Sequence, residues 1–238
     1  MKKNVLMIGC NGEIGRTLYE KLSNRYNWIL CDISENKFCF PKFHKVDFTN
    51  RREIEDVFNN KIDVVISLIG LPEASNIPDP ILFDKMTHTY FYSTFYILDS
   101  MRKTGVKKFI LASSNHVTDY YENNGYSILG REINTQDYPK NTSVYASLKL
   151  ASESLCHNYF INYGIESISF RIGSFRRIVD KNTMPDRWNR TILKIQDLVE
   201  AFTAAIEKKS TADVYYLVSD NADKPWNTSD LKELLTQE

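Results

Sequence analysis

Two groups of residues in this chain have types and spacing that could do chemistry. The segment Val5-Leu6-Met7-Ile8-Gly9-Cys10-Asn11-Gly12-Glu13-Ile14-Gly15 reads as a strand, a Gly-x-x-Gly-x-x-Gly turn and the start of a helix. Glycine permits the tight turn, lets backbone approach a pyrophosphate and lets the helix pack on the strand, while the helix amino end attracts the anion. With nine glycines in the chain, three at this spacing arise by chance with a frequency of about 0.01. Asp32 closes the next β-branched run, near the ~20-residue offset at which an acidic side chain accepts ribose hydroxyls and repels a 2′-phosphate. This favours NAD over NADP, although Arg16 and Lys37 are cations that could offset the repulsion.

The second group is Tyr145-Ala-Ser-Leu-Lys149. In a chain with 14 tyrosines, roughly one Tyr-x-x-x-Lys pair is expected by chance, so position has to carry it. It falls in a helical stretch that follows a strand ending in Ser113-Ser114, and i to i+4 spacing puts both side chains on one helical face. A phenol with a pKa near 10 is a poor base at neutral pH, and an adjacent ammonium should favour its phenolate. A serine hydroxyl across the cleft would bond the same substrate oxygen, completing a proton-transfer site beside a nicotinamide.

These groups need a scaffold. Short β-branched runs at Asn4 to Ile8, Trp28 to Asp32, Asp63 to Ile69, Lys107 to Ser113, Ile165 to Arg171 and Val214 to Val218 alternate with helical patterns at Glu13 to Tyr26, Arg51 to Asn59, Ile81 to Thr104, Ser143 to Tyr163 and Gln196 to Lys208. The alternation predicts an α/β fold of Rossmann type, a doubly wound parallel sheet in one domain spanning residues 1–238, with a small C-terminal substrate-binding part. Gly105 and Gly164 fall where helices must stop. Residues 114–142 and 173–192 break the rhythm and leave strand carboxyl ends, where open sheets bind ligands.

Composition narrows the partners. With 42% hydrophobic and 25% charged residues and a formal net charge of +0, the chain lacks a polycation's bias toward nucleic acid or anionic membrane, and a small-molecule substrate is expected. Cys10, Cys31, Cys39 and Cys156 show no metal-ligand or disulfide spacing, so no metal is expected and the thiols read as reduced. The apolar start runs straight into the glycine turn with no cleavage site, and Val64 to Leu71 is far short of the roughly 20 residues that span a bilayer. A cytoplasmic protein is the expectation.

On Gly9 to Gly15, Asp32, Ser113-Ser114 and Tyr145-x-x-x-Lys149, the chain from its first strand to about Ser174 resembles the extended short-chain dehydrogenase/reductase family, which includes NAD-dependent epimerases and dehydratases. Ala112-Ser113-Ser114-Asn115-His116-Val117, Tyr120-Tyr121 and Arg171-Ile172-Gly173-Ser174 look like the uronate dehydrogenases of that family, which oxidise C1 of a hexuronic acid with NAD. The resemblance implies Ser114, Tyr145 and Lys149 as the catalytic triad, and Asn115, His116 and Ser174 as sugar-acid contacts along with Ser114. It implies a cofactor lying along Gly9, Asn11, Gly12, Glu13, Ile14, Gly15, Asp32, the pair Asp47-Phe48, the segment Leu68-Ile69-Gly70, Ser113, Ile172, and Tyr145 with Lys149. An arginine after the sixth strand pairs with the substrate carboxylate in that group; Arg187 is the nearest match, with Arg176, Arg177 and Arg190 in the same loop.

The chain also departs from the family. Tyr90 stands where Asn is common, Ser93 where a Gly is expected, Asp119 where a glycine often follows the serine loop, and Pro72 where a small hydroxyl residue usually meets substrate. His116 either donates, as a neutral imidazole, to a substrate hydroxyl or caps its loop. The aromatic run from Tyr90 to Tyr96 serves either core packing or the four-helix contact by which this family often forms homo-oligomers. Three functions follow: an NAD-dependent oxidation of a sugar acid or related aldose at C1, a nucleotide-sugar epimerase or dehydratase, or a noncatalytic NAD(P)-binding regulatory protein. The stretch after Ser174 is short for the substrate lobe of the second, and the third has no use for the Tyr and Lys pair.

Overall fold

The computed structural model describes residues 1–71, 76–178 and 184–236. In chain order its elements are β1 (Asn4–Ile8), α1 (Glu13–Leu22), β2 (Asn27–Asp32), β3 (Phe43–Lys45), α2 (Arg51–Val57), β4 (Val64–Ser67), α3 (Pro80–Thr87), α4 (Ser93–Thr104), β5 (Lys108–Ser114), β6 (Glu122–Asn123), β7 (Tyr126–Ser127), α5 (Val144–Tyr163), β8 (Glu166–Ile172), α6 (Asp186–Thr191), α7 (Ile195–Glu207), β9 (Ala212–Leu217) and α8 (Ser229–Thr236). Seven strands pair in parallel in the order β3-β2-β1-β4-β5-β8-β9, as a Rossmann-like α/β sheet. The chain winds outward from β1 to β3, then returns to β4 and winds to the other edge. The crevice between β1 and β4 is therefore the topological switch point.

Double winding follows from the strand residues. Along β1, Val5 and Met7 pack with α1 and α7 residues such as Leu18, Leu198 and Phe202 on one face. Leu6 and Ile8 pack with Ile54, Ile97 and Met101 of α2 and α4 on the other. A strand covered on both faces has no polar side, so it reads as an apolar run rather than an alternation. Helices stop where the sequence indicates: Gly105 (φ 79) and Gly164 (φ 62) close α4 and α5 in the left-handed conformation.

Several boundaries differ from the sequence pattern. The stretch from Ile81 to Thr104 is interrupted by a π turn at His88–Tyr92. Within it, the Tyr90 carbonyl accepts from the hydroxyls of Thr94 (2.7 Å) and Ser152 (3.1 Å). Edge strand β3, hairpin β6–β7 and helices α6 and α8 carry too few residues to show a period. Among the described residues, no helix is long and apolar enough to cross a membrane.

Candidate active site

The switch-point crevice has a volume of about 540 Å³. Its floor is the glycine turn, where Gly9 (φ +83) would place a Cβ 2.9 Å from the Leu68 carbonyl oxygen, and Gly15 a Cβ 2.7 Å from Cys10 Cα. No side chain caps α1 at Gly12, so the first-turn N–H groups stay open to an anion. Asp32 lies at the rim: its carboxylate accepts the Asn11 N–H (3.0 Å) and the Ser34 N–H (3.0 Å) and hydroxyl (2.8 Å). The Asn11 amide donates to Ser34 Oγ and the Glu35 carbonyl, both at 2.9 Å, latching the β2 loop to the turn. Asp47, Phe48, Leu68, Ile69 and Gly70 line the same space. An uncapped helix end, backbone that leaves no room for Cβ atoms and a carboxylate at the strand tip fit a dinucleotide. Lys37 also borders the crevice, whereas Arg16 turns away, paired with Glu20 at 2.8 Å and lying 4.4 Å over the Phe38 ring.

A second cleft of about 440 Å³ shares the Leu68–Leu71 wall with the first. Ser114, Tyr145 and Lys149 all line it. Ser114 ends β5, where its Oγ accepts the His116 N–H (3.2 Å). Ser143 caps α5 by accepting the Ala146 N–H, which sets the helix start so that Tyr145 and Lys149 both reach the strand end. Lys149 Nζ donates to the carbonyl oxygens of Ala112 (2.7 Å) and Ile69 (3.2 Å).

The electrostatics correct one expectation. Burial pushes the Tyr145 phenol up, and what opposes it is a hydrogen bond from Ser114. Burial likewise pushes the Lys149 amine down to about 8, opposed by the charge of Glu153. Lys149 Nζ stands 6.0 Å from the Tyr145 ring centroid and 4.8 Å over the Tyr90 ring. The resting phenol is thus protonated, and adjacency of the amine does not by itself make it a phenolate.

The other expected residues distribute unevenly. Asn115, His116, Ile172, Ser174 and Arg187 line the second cleft. Glu13 does not face the first crevice alone: its carboxylate accepts from Arg176 (3.0 Å) and from the Arg177 N–H (3.3 Å), while Ile14 borders the second cleft. Ser113 lines the cleft, but its hydroxyl donates to Glu153 (2.5 Å), which pairs with Arg171 (2.8 Å) in a buried network. Of the four loop arginines only Arg187 borders the second cleft. Arg177 pairs with Glu20 (2.6 Å) and Arg190 with Asp186 (2.8 Å), and Arg176 lines the groove beside the glycine turn. Arg187 already has a partner, Glu122, at 2.8 Å. Pro72 lies outside the described residues.

Two residues that the sequence marked only as departures, Tyr90 and Asp119, and one it did not mark, Glu122, complete the site. Tyr90 is buried with its ring centroid 5.3 Å from that of Tyr145, and its hydroxyl accepts the Leu71 N–H (3.0 Å). Asp119 stands 3.1 Å from His116 Nδ1, and Glu122 backs Arg187. The available signals were the i to i+3 spacing from His116 to Asp119 and the Asn124-Gly125 pair that makes the hairpin carrying Glu122. In the aromatic run, Tyr90 faces inward while Tyr92 and Phe95 are exposed.

The model of the NAD dependent epimerase/dehydratase family matches residues 5–175, from the first strand past Ser174. The chain belongs to this family. Members of this family bind NAD, and the fold is that of the extended short-chain dehydrogenases/reductases. Among its relatives, the uncharacterized protein YtbQ of Bacillus subtilis is 35% identical over 94% of this chain and 89% of its own length. The uronate dehydrogenase of Pseudomonas syringae pv. tomato is 28% identical, covering 94% of this chain and 77% of that protein. A solved mutated uronate dehydrogenase superposes with a TM-score of 0.83 at 24% identity, over all of this chain and 82% of that one, which establishes the fold.

Proposed function

We propose that this family member is an NAD-dependent oxidoreductase that oxidises a sugar acid of uronate type, or a related aldose, at C1. The observation that carries the reading is the meeting of Ser114, Tyr145 and Lys149 in a cleft continuous with the dinucleotide crevice, with Arg187 on the same cleft. The likeness to a uronate dehydrogenase at 28% identity supports the substrate class.

In this reading Tyr145, protonated at rest, first loses its proton to solvent, and with Ser114 holding the C1 hydroxyl against it the phenolate oxygen then takes that hydroxyl's proton. Bound NAD supplies the hydride acceptor. Lys149 has three N–H groups, two of them on main-chain carbonyls; the third serves the phenolate and a ribose hydroxyl. Arg187 keeps its Nη1 group toward Ser174 (3.5 Å) while Glu122 holds its other edge, which leaves that nitrogen for a substrate carboxylate. Asp32 makes NAD rather than NADP the cofactor.

The test is the purified protein with NAD or NADP and a panel of uronic acids and neutral aldoses, followed at 340 nm. Steady NADH formation with a uronic acid is expected, and Tyr145→Phe should abolish it while sparing NAD affinity. Conversion of a UDP-sugar without net NADH would replace the proposal with an epimerase or dehydratase. Cofactor binding without turnover, unchanged in Tyr145→Phe, would leave a regulatory dinucleotide-binding protein.

A further inference from the structure

Asp119 is a carboxylate beside the substrate cleft to which the reaction above gives no task. Its side chain is 13% exposed. One oxygen accepts the Thr142 N–H (2.8 Å); the other accepts the Thr142 hydroxyl (3.0 Å) and lies 3.1 Å from His116 Nδ1. Thr142 directly precedes the cap of α5, so this carboxylate ties the turn after β5 to the helix carrying Tyr145 and Lys149. Burial pushes its pKa up, but hydrogen bonds from His116 and Thr142 outweigh that and hold it below the ordinary value. Asp119 is therefore ionised and can only accept hydrogen bonds.

A neutral imidazole facing such a group must carry its proton on Nδ1, which leaves Nε2 as a lone pair. The His116 ring borders the cleft, edge-on to Tyr145 with centroids 6.2 Å apart. We propose that Asp119 is a positioning residue that fixes His116 in its Nδ1–H tautomer and so makes this wall of the cleft a hydrogen-bond acceptor for a substrate hydroxyl. The identity of the substrate rests on the oxidoreductase reading; the tautomer is a property of the free protein.

The consequence is a polarity for the cleft. The charged and titratable groups around His116 are Asp119 on its own turn, Tyr145 from α5 with Lys149 and Tyr90 behind it, and Arg187 from α6. A lone pair backed by an ionised carboxylate repels an anionic substituent and takes a hydroxyl donor. The anionic end of a ligand belongs at the Arg187 side, near Ser174.

Asp119→Asn inverts this arrangement. The Asn carbonyl would take the Thr142 N–H, and its amide would donate toward His116 Nδ1, forcing the proton onto Nε2. Long-range 1H–15N NMR of the full chain, with the ring neutral and the resonances identified by their loss in His116→Gln, reads the tautomer directly. The wild-type ring should show a protonated Nδ1 and a pyridine-like Nε2, and the two should exchange in Asp119→Asn. That variant should raise KM for a hydroxyl-bearing substrate severalfold, the effect of one mismatched hydrogen bond at a ring that is 46% exposed, with kcat and NAD affinity near wild type. Thr142→Val keeps the His116 contact and should leave tautomer and KM unchanged. A wild-type Nε2–H tautomer would overturn the proposal without any substrate in hand. Equal KM losses in Asp119→Asn and Thr142→Val would reduce Asp119 to a brace and overturn it as well. A substrate panel without turnover bears on the oxidoreductase reading alone.

Discussion

Lys149 is among the most deeply enclosed cations of the described residues, at 5% exposure, and burial pushes its amine down from the ordinary 10.5 to about 8. Between those values the folded protein binds fewer protons at this site than the unfolded chain does. Stability therefore rises with pH through that window, and the full burial penalty is present below it. Relative to Lys149→Met, the wild type should gain on the order of 3 kcal/mol across the window, as read by urea unfolding at a series of pH values. A pH-independent difference would show that the amine is not depressed. At the cofactor end, Asp32→Ala should weaken NAD binding and narrow its advantage over NADP; an unchanged ratio of the two dissociation constants would remove Asp32 from cofactor choice. Both residues were legible as types at a spacing. Their charge states were not, because the Lys149 shift comes from the depth of burial under β5 and α5, which residues far apart in sequence create together.

At the scale of elements, the central strands were legible because each is a continuous apolar run closed by a turn residue. Hairpin β6–β7 was not, since two strands of two residues each carry no period; only Asn124-Gly125 announced it. Asn124 (φ 50) and Gly125 (φ 85) both sit at positive φ, as a primed hairpin turn requires. The hairpin lies against α6: a Cβ at Gly125 would fall 3.2 Å from the Arg187 carbonyl oxygen, and Arg190 stacks on Tyr126 at 3.8 Å. It also delivers Glu122 to Arg187. Gly125→Ala should therefore cost about 1–2 kcal/mol through backbone strain, and should raise KM for acidic substrates more than for neutral aldoses because Arg187, the proposed carboxylate anchor, shifts. Thermal unfolding and the two KM values check it. A stability loss with no difference between substrate types would separate the hairpin from Arg187.

The two larger hydrophobic clusters lie on opposite faces of one sheet, and α5 is joined to that sheet by polar contacts at the cleft floor as well as by apolar packing. Glu153 of α5 accepts from Ser113 of β5 and from both Arg171 Nε (3.1 Å) and Nη2 (2.8 Å) of β8. Arg171 donates to the Tyr216 hydroxyl of β9 (3.3 Å), which also contacts Thr118 Oγ1 at 2.8 Å. Alternating strands and helices in the sequence predict the layers but not this network, because its members come from three strands, a helix and a turn that only the tertiary fold brings together. Glu153 and Arg171 side chains are each 5% exposed, so removing one charge strands the other in a low-dielectric site. Arg171→Met should cost about 3–5 kcal/mol, and so should Glu153→Leu, whereas the double replacement should recover most of either loss. Strictly additive costs in denaturant unfolding would show that the two charges do not act as a pair. Glu153 also opposes the depression of the Lys149 amine. In the double variant the alkaline gain in stability from Lys149 should therefore widen, which ties the network joining helix to sheet to the charge of the amine in the candidate site.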